Sequence, residues 1–280
     1  MPDSATLAVL RDLTSLTVIS LCIGVVLFSV LRTLKPTGAW APGGRVISDV
    51  FATPDLYLAV LLCALLLSGL AGDGASTDPE PVADFSMLLV NVVFMLSLCA
   101  ALLTYLAIVK KISPAEIFGL RLLTVPAAFR KALLYIIPLY IFVAVLAAVI
   151  SQWALEGIWP ANGPQETVEA FQKADGLGLK VLMGIAAVIV APIVEETVFR
   201  GFVYGVIKRY TDGYFAAIVS ALLFAIVHLH VGSLVPLFML ALGLCLAYER
   251  TGSLLVPMWM HAIFNGTSTA LILLGTDLPE

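Results

Sequence analysis

The chain has 280 residues, of which 61% are hydrophobic and only 12% charged, and its mean hydropathy is +1.05. This composition cannot supply the polar surface of a soluble globule, so it predicts an all-α, polytopic membrane protein. The formal net charge of −4 is spread over short loops, and the lack of a basic run argues against nucleic acid as a partner. Cys22, Cys63, Cys99 and Cys245 lie in apolar segments without a CxxC pair, which favours packing roles over a disulfide or thiol metal site.

Apolar runs long enough to cross the ~30 Å hydrocarbon core recur along the chain. The first, 13–31, is uncharged and lacks a basic amino-terminal flank, so we interpret it as a retained helix rather than a signal peptide. About eight transmembrane helices are predicted in total. The other seven spans are expected at 56–71, 86–109, 132–155, 181–207, 214–231, 234–248 and 254–274.

The spans divide into two parts of one integral membrane domain. Residues 1–180 hold four predicted helices and, near 112–131, an amphipathic connecting segment with Arg121, Arg130 and Lys131 that is expected to lie at the membrane interface. Residues 181–280 hold a core of four further helices, which contains every candidate site residue described below.

Lysine and arginine are concentrated in alternate loops, and this bias predicts the orientation in the membrane. Loops two and six carry none, and loop four carries only Lys173, with Lys180 at its membrane edge. We therefore expect the odd loops in the cytoplasm and both termini outside, in a plasma (inner) membrane. The basic residues of the odd loops are Arg32, Lys35, Arg45, Lys110, Lys111, Arg121, Arg130, Lys131, Lys208, Arg209 and Arg250.

Three ionisable residues, Glu195, Glu196 and Arg200, interrupt the apolar run 181–207. A charge near the bilayer centre costs at least ~2.5–3.5 kcal/mol on insertion scales, so these residues predict a functional site lined by protein. Glu196 and Arg200 are four residues apart and share a helix face, which predicts an ion pair. Glu195 points roughly 100° away and is left to abstract a proton. The alternative is a purely structural cluster of ion pairs between helices.

Two other helices contribute polar residues at a similar depth. Glu195 and His228 are about equally far in sequence from the turn at 210–214 that joins their antiparallel helices. Their side chains are therefore expected at the same depth in the membrane. His261 and Asn265 are four residues apart on one face of the last helix. Counted from the start of that helix, Asn265 matches the depth of Glu195, and His261 lies about one turn nearer the cytoplasm. Each residue alone also fits an ordinary hydrogen bond between helices.

Neighbouring residues refine this constellation. Phe224 lies one turn before His228 on the same face, which makes it a supporting residue, whereas His230 points to nearly the opposite side. At most one of the two histidines therefore joins the site. Gly201 and Gly205 predict a surface for close helix packing.

The patterns EExxxR (Glu195, Glu196, Arg200), FxxxH (Phe224, His228) and HxxxN (His261, Asn265) resemble the three motifs of the CPBP family of intramembrane proteases. This family includes the CAAX prenyl endopeptidases and many bacteriocin-processing or abortive-infection-type immunity proteins. The resemblance covers 181 to roughly 274. It implies an intramembrane endopeptidase that hydrolyses a membrane-associated or prenylated peptide or protein. The implied catalytic residues are Glu195, His228, His261 and Asn265, supported by Glu196, Arg200 and Phe224.

Two mechanisms are compatible with these residues. In the one we favour, Glu195 takes a proton from water and His228 holds that water or passes the proton to the leaving amine. His261 and Asn265 then donate hydrogen bonds to the oxyanion. In the other, Glu195, His228 and His261 bind a catalytic zinc ion with an open fourth position. The chain lacks the zinc-binding motif HExxH, and Asn265 is better suited to donate a hydrogen bond than to bind zinc. We therefore favour a mechanism without a cofactor and keep zinc as the alternative.

Two other functions remain open. A non-catalytic immunity or scaffold protein of the same fold is expected to lose motif residues, and none is lost here. A small transporter also buries charge at the membrane midplane, but the chain shows no internal repeat.

Overall fold

A computed structural model of the protein describes residues 44–68, 85–155, 166–174, 176–228 and 230–275. Within these ranges every regular element is helical, which confirms the predicted all-α class. A single 3-10 turn, Val231–Ser233, leads into α8. The helices are α1 (Thr53–Ser68), α2 (Phe85–Val109), α3 (Pro114–Ile117), α4 (Val125–Leu155), α5 (Glu166–Lys173), α6 (Leu177–Tyr210), α7 (Gly213–Ile226), α8 (Leu234–Thr251) and α9 (Leu255–Leu273).

Four helices of the described ranges are long and apolar enough to cross a membrane. They are Phe85–Val109, Val125–Ile150, Leu177–Tyr210 and Val231–Thr251. Thr53–Leu67 and Gly213–Ile226 are apolar but shorter; at 1.5 Å per residue, α7 spans roughly 21 Å of the ~30 Å hydrocarbon core. The predicted first span, 13–31, lies outside the described residues, so the count of eight stays a prediction.

The outer faces of the long helices expose large apolar side chains. Val90 of α2 and Leu134 of α4 are both 69% exposed, and Val181 of α6 is 52% exposed. Apolar patches of this extent would promote aggregation in water, whereas lipid tails solvate them. The protein is therefore an integral membrane protein.

Helix α8 lies at the centre of the described bundle, because its two faces belong to different apolar clusters. Ala241 and Cys245 pack into a cluster shared with α1, α2, α6 and α7. Leu240 and Leu244 pack into a second cluster with α4 and α9. All four side chains are fully buried, so α8 joins the two halves of the fold.

Helix α6 is continuous but contains two π-helical segments, Ala186–Val190 and Glu196–Tyr204. We call them the first and second wide turns of α6. Pro192 accounts for the first wide turn, because proline has no N–H and its ring clashes with the carbonyl four residues earlier. The turn before it adopts the i→i+5 pattern, in which Ala191 N–H bonds the Ala186 carbonyl. Such turns are frequent at functional sites.

The loops predicted to be cytoplasmic meet at one end of the helices. Lys110, after α2, donates from Nζ to the Val50 carbonyl of loop one at 2.9 Å. Leu254, between α8 and α9, donates its N–H to the Phe118 carbonyl of loop three at 2.9 Å. The odd loops therefore share one side, as the charge bias predicts, and the identity of that side stays a prediction.

Glu249, near the end of α8, ties loop one to α6. Its Oε1 accepts from the Tyr204 hydroxyl at 2.6 Å and from the Lys208 ammonium, and its Oε2 accepts from the Arg45 N–H at 3.0 Å. Gly44 has a φ of +89°, and a Cβ there would lie 1.8 Å from Oε2. Lys208, in the last turn of α6, is fully buried, so its charge is neutralised inside the protein.

The connecting segment 112–131 is not one continuous helix. The chain forms only the short α3 there, turns through Thr124, and begins α4 at Val125, before the predicted start of that span. Ile117 and Phe118 are buried in the core. The expected position of the segment at the membrane interface stays a prediction, but its charges at 121, 130 and 131 do not reveal the space that the rest of the fold leaves for Phe118.

Gly201 and Gly205 provide that space on α6. A Cβ at Gly201 would lie 2.8 Å from the Phe118 ring, and one at Gly205 would lie 2.6 Å from the Phe51 ring. Close packing occurs at the two glycines, but the prediction of a helix as the partner was wrong, because aromatic rings of loops three and one fill the space.

Cysteine labelling tests the orientation. Arg121 and Arg250 are exposed and lie in loops three and seven. We expect Arg121→Cys and Arg250→Cys, in a chain freed of its native cysteines, to react with a membrane-impermeant thiol reagent only after cells are opened. Gln172→Cys in α5, an exposed position of loop four, is the control that should react in intact cells. Labelling of Arg121→Cys from outside would reverse the orientation.

Candidate active site

Glu196 and Arg200 form the buried ion pair that their spacing predicts. Arg200 donates from Nη1 to Glu196 Oε1 at 2.9 Å, and neither side chain is exposed. Nδ1 of His261 lies 2.8 Å from the same oxygen. Because a carboxylate can only accept, this hydrogen bond requires a proton on Nδ1. Glu196 therefore selects the tautomer of His261 as well as neutralising Arg200.

The ring of Phe224 joins this pair to both histidines. Its centroid lies 4.3 Å from the Arg200 guanidinium carbon, 4.6 Å from the His228 ring centre and 5.7 Å from that of His261. Nε and Nη2 of Arg200 have no hydrogen-bond partner. The π face of Phe224 compensates part of that cost, since a desolvated cation–π contact contributes about 2 kcal/mol or more. Phe224 thus lies at the centre of the site.

Glu195 is in a different environment from the adjacent Glu196. Its side chain is 19% exposed, and its Oε2 is buried without a hydrogen-bond partner. That oxygen lies 3.8 Å from Nε2 of His261, which is too long for a direct hydrogen bond. Glu195 is thus the carboxylate of the pair that is not committed to a structural contact.

His228 reaches the site from a turn rather than from inside a helix. The predicted span 214–231 is too long, because α7 ends at Ile226. Nδ1 of His228 lies 2.7 Å from the Phe224 carbonyl, which places a proton on Nδ1 and leaves Nε2 as an acceptor in the neutral ring. His228 therefore joins the site through Phe224, not through a hydrogen bond to Glu195.

His230 has a separate structural role, which agrees with the prediction that at most one of the two histidines joins the site. Its Nδ1 accepts from the Ser233 N–H at 3.1 Å and caps the turn before α8.

Asn265 does not lie at the depth predicted for it. Its Nδ2 donates to the Ala187 carbonyl at 2.8 Å, about two helical turns from Glu195, whereas His261 is the α9 residue level with Glu195. The depth count assumed an α-helical rise through Glu196–Tyr204, but a wider helix advances less per residue. The predicted register of α9 was therefore wrong by about one turn. The catalytic assignment of Asn265 itself stays a prediction.

The zinc alternative requires Glu195, His228 and His261 to face a common point. Across the residues that the structure describes, no three His, Cys, Asp or Glu side chains are grouped so that they could hold a metal ion. In both imidazoles Nδ1 is bonded to another acceptor, so Nε2 is the nitrogen of each ring that would have to bind a metal ion. The zinc alternative, with these three residues as ligands, stays a prediction.

Sequence reasoning missed Ser220, which is fully buried one turn before Phe224 on α7. Its hydroxyl donates to the Phe199 carbonyl, in the second wide turn of α6, at 3.1 Å. The available signal was the spacing of four that relates Ser220, Phe224 and His228. Thr197 supports the same helix by donating to the Ile193 carbonyl at 2.7 Å.

The fold and these contacts define an all-helical integral membrane protein with a buried cluster of carboxylates and histidines. Residues 177–267 match the family described as type II CAAX prenyl endopeptidase Rce1-like. The chain is also 33% identical over 84 residues to "Putative membrane peptidase YdiL" of Bacillus subtilis (strain 168), a match that covers 30% of this chain and 34% of that relative. No solved structure matches the chain significantly. The two matches confirm the resemblance to the CPBP family that the three motifs predict.

Glu196→Gln is expected to lower the free energy of unfolding by about 3–5 kcal/mol, because it leaves Arg200 buried without a counter-charge. The control is Glu169→Gln, which removes a solvated contact with Lys173 at 3.7 Å and should change stability by less than ~1 kcal/mol. Unfolding of the two purified variants in the same detergent measures the difference. Equally small effects would show that the buried pair does not stabilise the fold.

Proposed function

We propose that this protein is an intramembrane endopeptidase in which Glu195 activates water for attack on a peptide bond. The observation that carries the proposal is the contrast between two adjacent carboxylates. Glu196 is fully buried and its Oε1 binds both Arg200 and His261. Both carboxylates have an unpaired Oε2, but Glu195 is outside the ion pair, is 19% exposed, and its Oε2 lies 3.8 Å from Nε2 of His261. A carboxylate held in this way beside an imidazole is suited to general-base catalysis. The Rce1-like match over 177–267 supports the same reaction class.

In the proposed reaction, Glu195 takes a proton from water while the water oxygen bonds to the scissile carbonyl carbon. The C–N bond then breaks, and the leaving amine receives a proton through His228. His261 donates from Nε2 to the oxyanion when both of its ring nitrogens are protonated. A well-placed donor of this kind contributes about 3–4 kcal/mol to the transition state. No metal ion takes part in these steps.

The surroundings of the site favour a substrate that is already in the membrane. Glu195 belongs to the long apolar helix α6, and the charged groups beside it are fully buried. A soluble peptide would have to leave water to reach this depth, whereas a lipid-modified or membrane-spanning peptide approaches within the bilayer. We therefore propose a membrane-associated substrate and include a prenylated peptide among the first to test.

Glu195→Gln is the direct test of the general base. The substitution keeps size and hydrogen bonding but removes the base, so turnover should fall at least ~100-fold while the unfolding temperature stays close to that of the wild type. The assay uses a quenched fluorescent peptide with a farnesylated cysteine near its carboxyl terminus, beside the same peptide without the lipid. Membrane peptides that accumulate in cells carrying Glu195→Gln identify other substrates. Wild-type turnover by this variant would refute the assignment of Glu195. If the wild-type protein cleaves neither peptide and no membrane peptide accumulates, a non-catalytic role is favoured instead.

Chelation tests the proposed absence of a metal from the mechanism. We expect activity to survive prolonged treatment of the purified wild-type protein with a strong chelator, and elemental analysis to find far less than one zinc ion per chain. A known zinc peptidase treated in parallel is the control. Stoichiometric zinc, with activity lost on chelation and restored by zinc, would overturn the mechanism but keep Glu195, His228 and His261 in the site.

A further inference from the structure

We propose that Asn265 is a positioning residue, whose side-chain amide replaces the backbone N–H that Pro192 lacks. By doing so, it holds the part of α6 that presents Glu195. The catalytic consequence rests on the proposed function, whereas the structural role does not.

The backbone pattern of the first wide turn of α6 identifies the missing donor. Ala186 accepts a hydrogen bond from the N–H of Ala191, five residues on. The next bond in this pattern would join the Ala187 carbonyl to the N–H of residue 192. That residue is proline, which has no N–H. The Ala187 carbonyl is therefore deprived of its donor within a helix, where lipid offers none in exchange.

Asn265 supplies the missing donor from a neighbouring helix. Its Nδ2 lies 2.8 Å from the Ala187 carbonyl oxygen. The next residue of α9 is Gly266, where a Cβ would meet the Val188 side chain at 3.5 Å. The two helices therefore pack closely at the level of the proline-induced turn, and the short asparagine side chain spans the gap.

This contact acts on Glu195 through a short rigid segment. Ala191–Glu195 is a single α-helical stretch between the two wide turns, and Pro192 is at its start. Helix α9 contacts α6 on both sides of this stretch, through Asn265 at Ala187 and through His261 at Glu196. Together the two contacts set the rotation of the segment, and hence the direction of the Glu195 carboxylate. One amide hydrogen of Asn265 is committed to this role.

A double-mutant cycle tests the replacement directly. Asn265→Ala should lower the unfolding temperature and reduce kcat by roughly 10- to 100-fold with little change in KM, because Glu195 is misplaced. Pro192→Ala restores a backbone N–H. In the double variant, the Ala187 carbonyl can bond the N–H of residue 192, or that of Ala191 if the turn relaxes to an α-helix. We therefore expect kcat and unfolding temperature of the double variant to match those of Pro192→Ala, with kcat within about twofold.

Two further variants control the cycle. Asn265→Asp keeps the size but has no N–H donor when ionised, and should resemble Asn265→Ala. Thr267→Ala removes an exposed hydrogen bond within α9, from Oγ1 to the Ile263 carbonyl at 2.8 Å, and should leave both measurements unchanged.

Each outcome of the cycle decides the proposal. If Pro192→Ala does not relieve the loss caused by Asn265→Ala, the positioning role is refuted and Asn265 acts on the reacting groups, as an oxyanion donor would. If Asn265→Ala does not fold, recovery of folded protein in the double variant supports the proposal, and failure to recover contradicts it. If the wild-type protein shows no peptidase activity, the proposed function fails, while the unfolding temperatures still decide the role of Asn265.

Discussion

The ion pair between Glu196 and Arg200 is the interaction on which the site depends. Taking two charges out of water costs several kcal/mol per ion, and the attraction within the pair offsets this cost only with the help of further contacts. Arg200 rests on the Phe224 ring of α7, and Glu196 accepts a second hydrogen bond from His261 of α9. The requirement to compensate one buried pair therefore brings three helices together. It also leaves the adjacent Glu195 outside the ion pair, with its Oε2 3.8 Å from Nε2 of His261.

Local features of this arrangement are predictable from sequence, because they depend on spacing within one helix. The contact between Glu196 and Arg200 is of this kind. The relative depth of residues on different helices is less predictable, because it depends on the summed axial rise of all the residues between them. The wide turns of α6 shorten that rise, so His261 lies level with Glu195 where Asn265 was expected. The buried position of Phe118 depends on Gly201, 83 positions later in the chain, and hydropathy around 118 contains no sign of it.

The wide turns of α6 are supported from several directions. Each one leaves carbonyls without the regular i→i+4 donor, and the bilayer supplies no water to replace it. Asn265, Thr197 and Ser220 donate to carbonyls of this helix from α9, from α6 itself and from α7. The irregular winding is therefore an integral part of the packing around Glu195. A rigid helix holds the Glu195 carboxylate more precisely than a loop would.

The contacts of loop one bear on how this protein can be divided and recombined. In the segment that matches known proteins, 177–267, Lys208 of α6 pairs with Glu249 of α8, and the backbone of Gly44 and Arg45 covers the Glu249 carboxylate. The segment also presents hollows at Gly201 and Gly205 that are filled by rings from the preceding part of the chain. If this segment were expressed alone, Lys208 would be exposed, and the spaces at Gly201 and Gly205 would be empty. A chimaera that grafts it onto a different amino-terminal half must therefore carry over the matching loop and both aromatic rings.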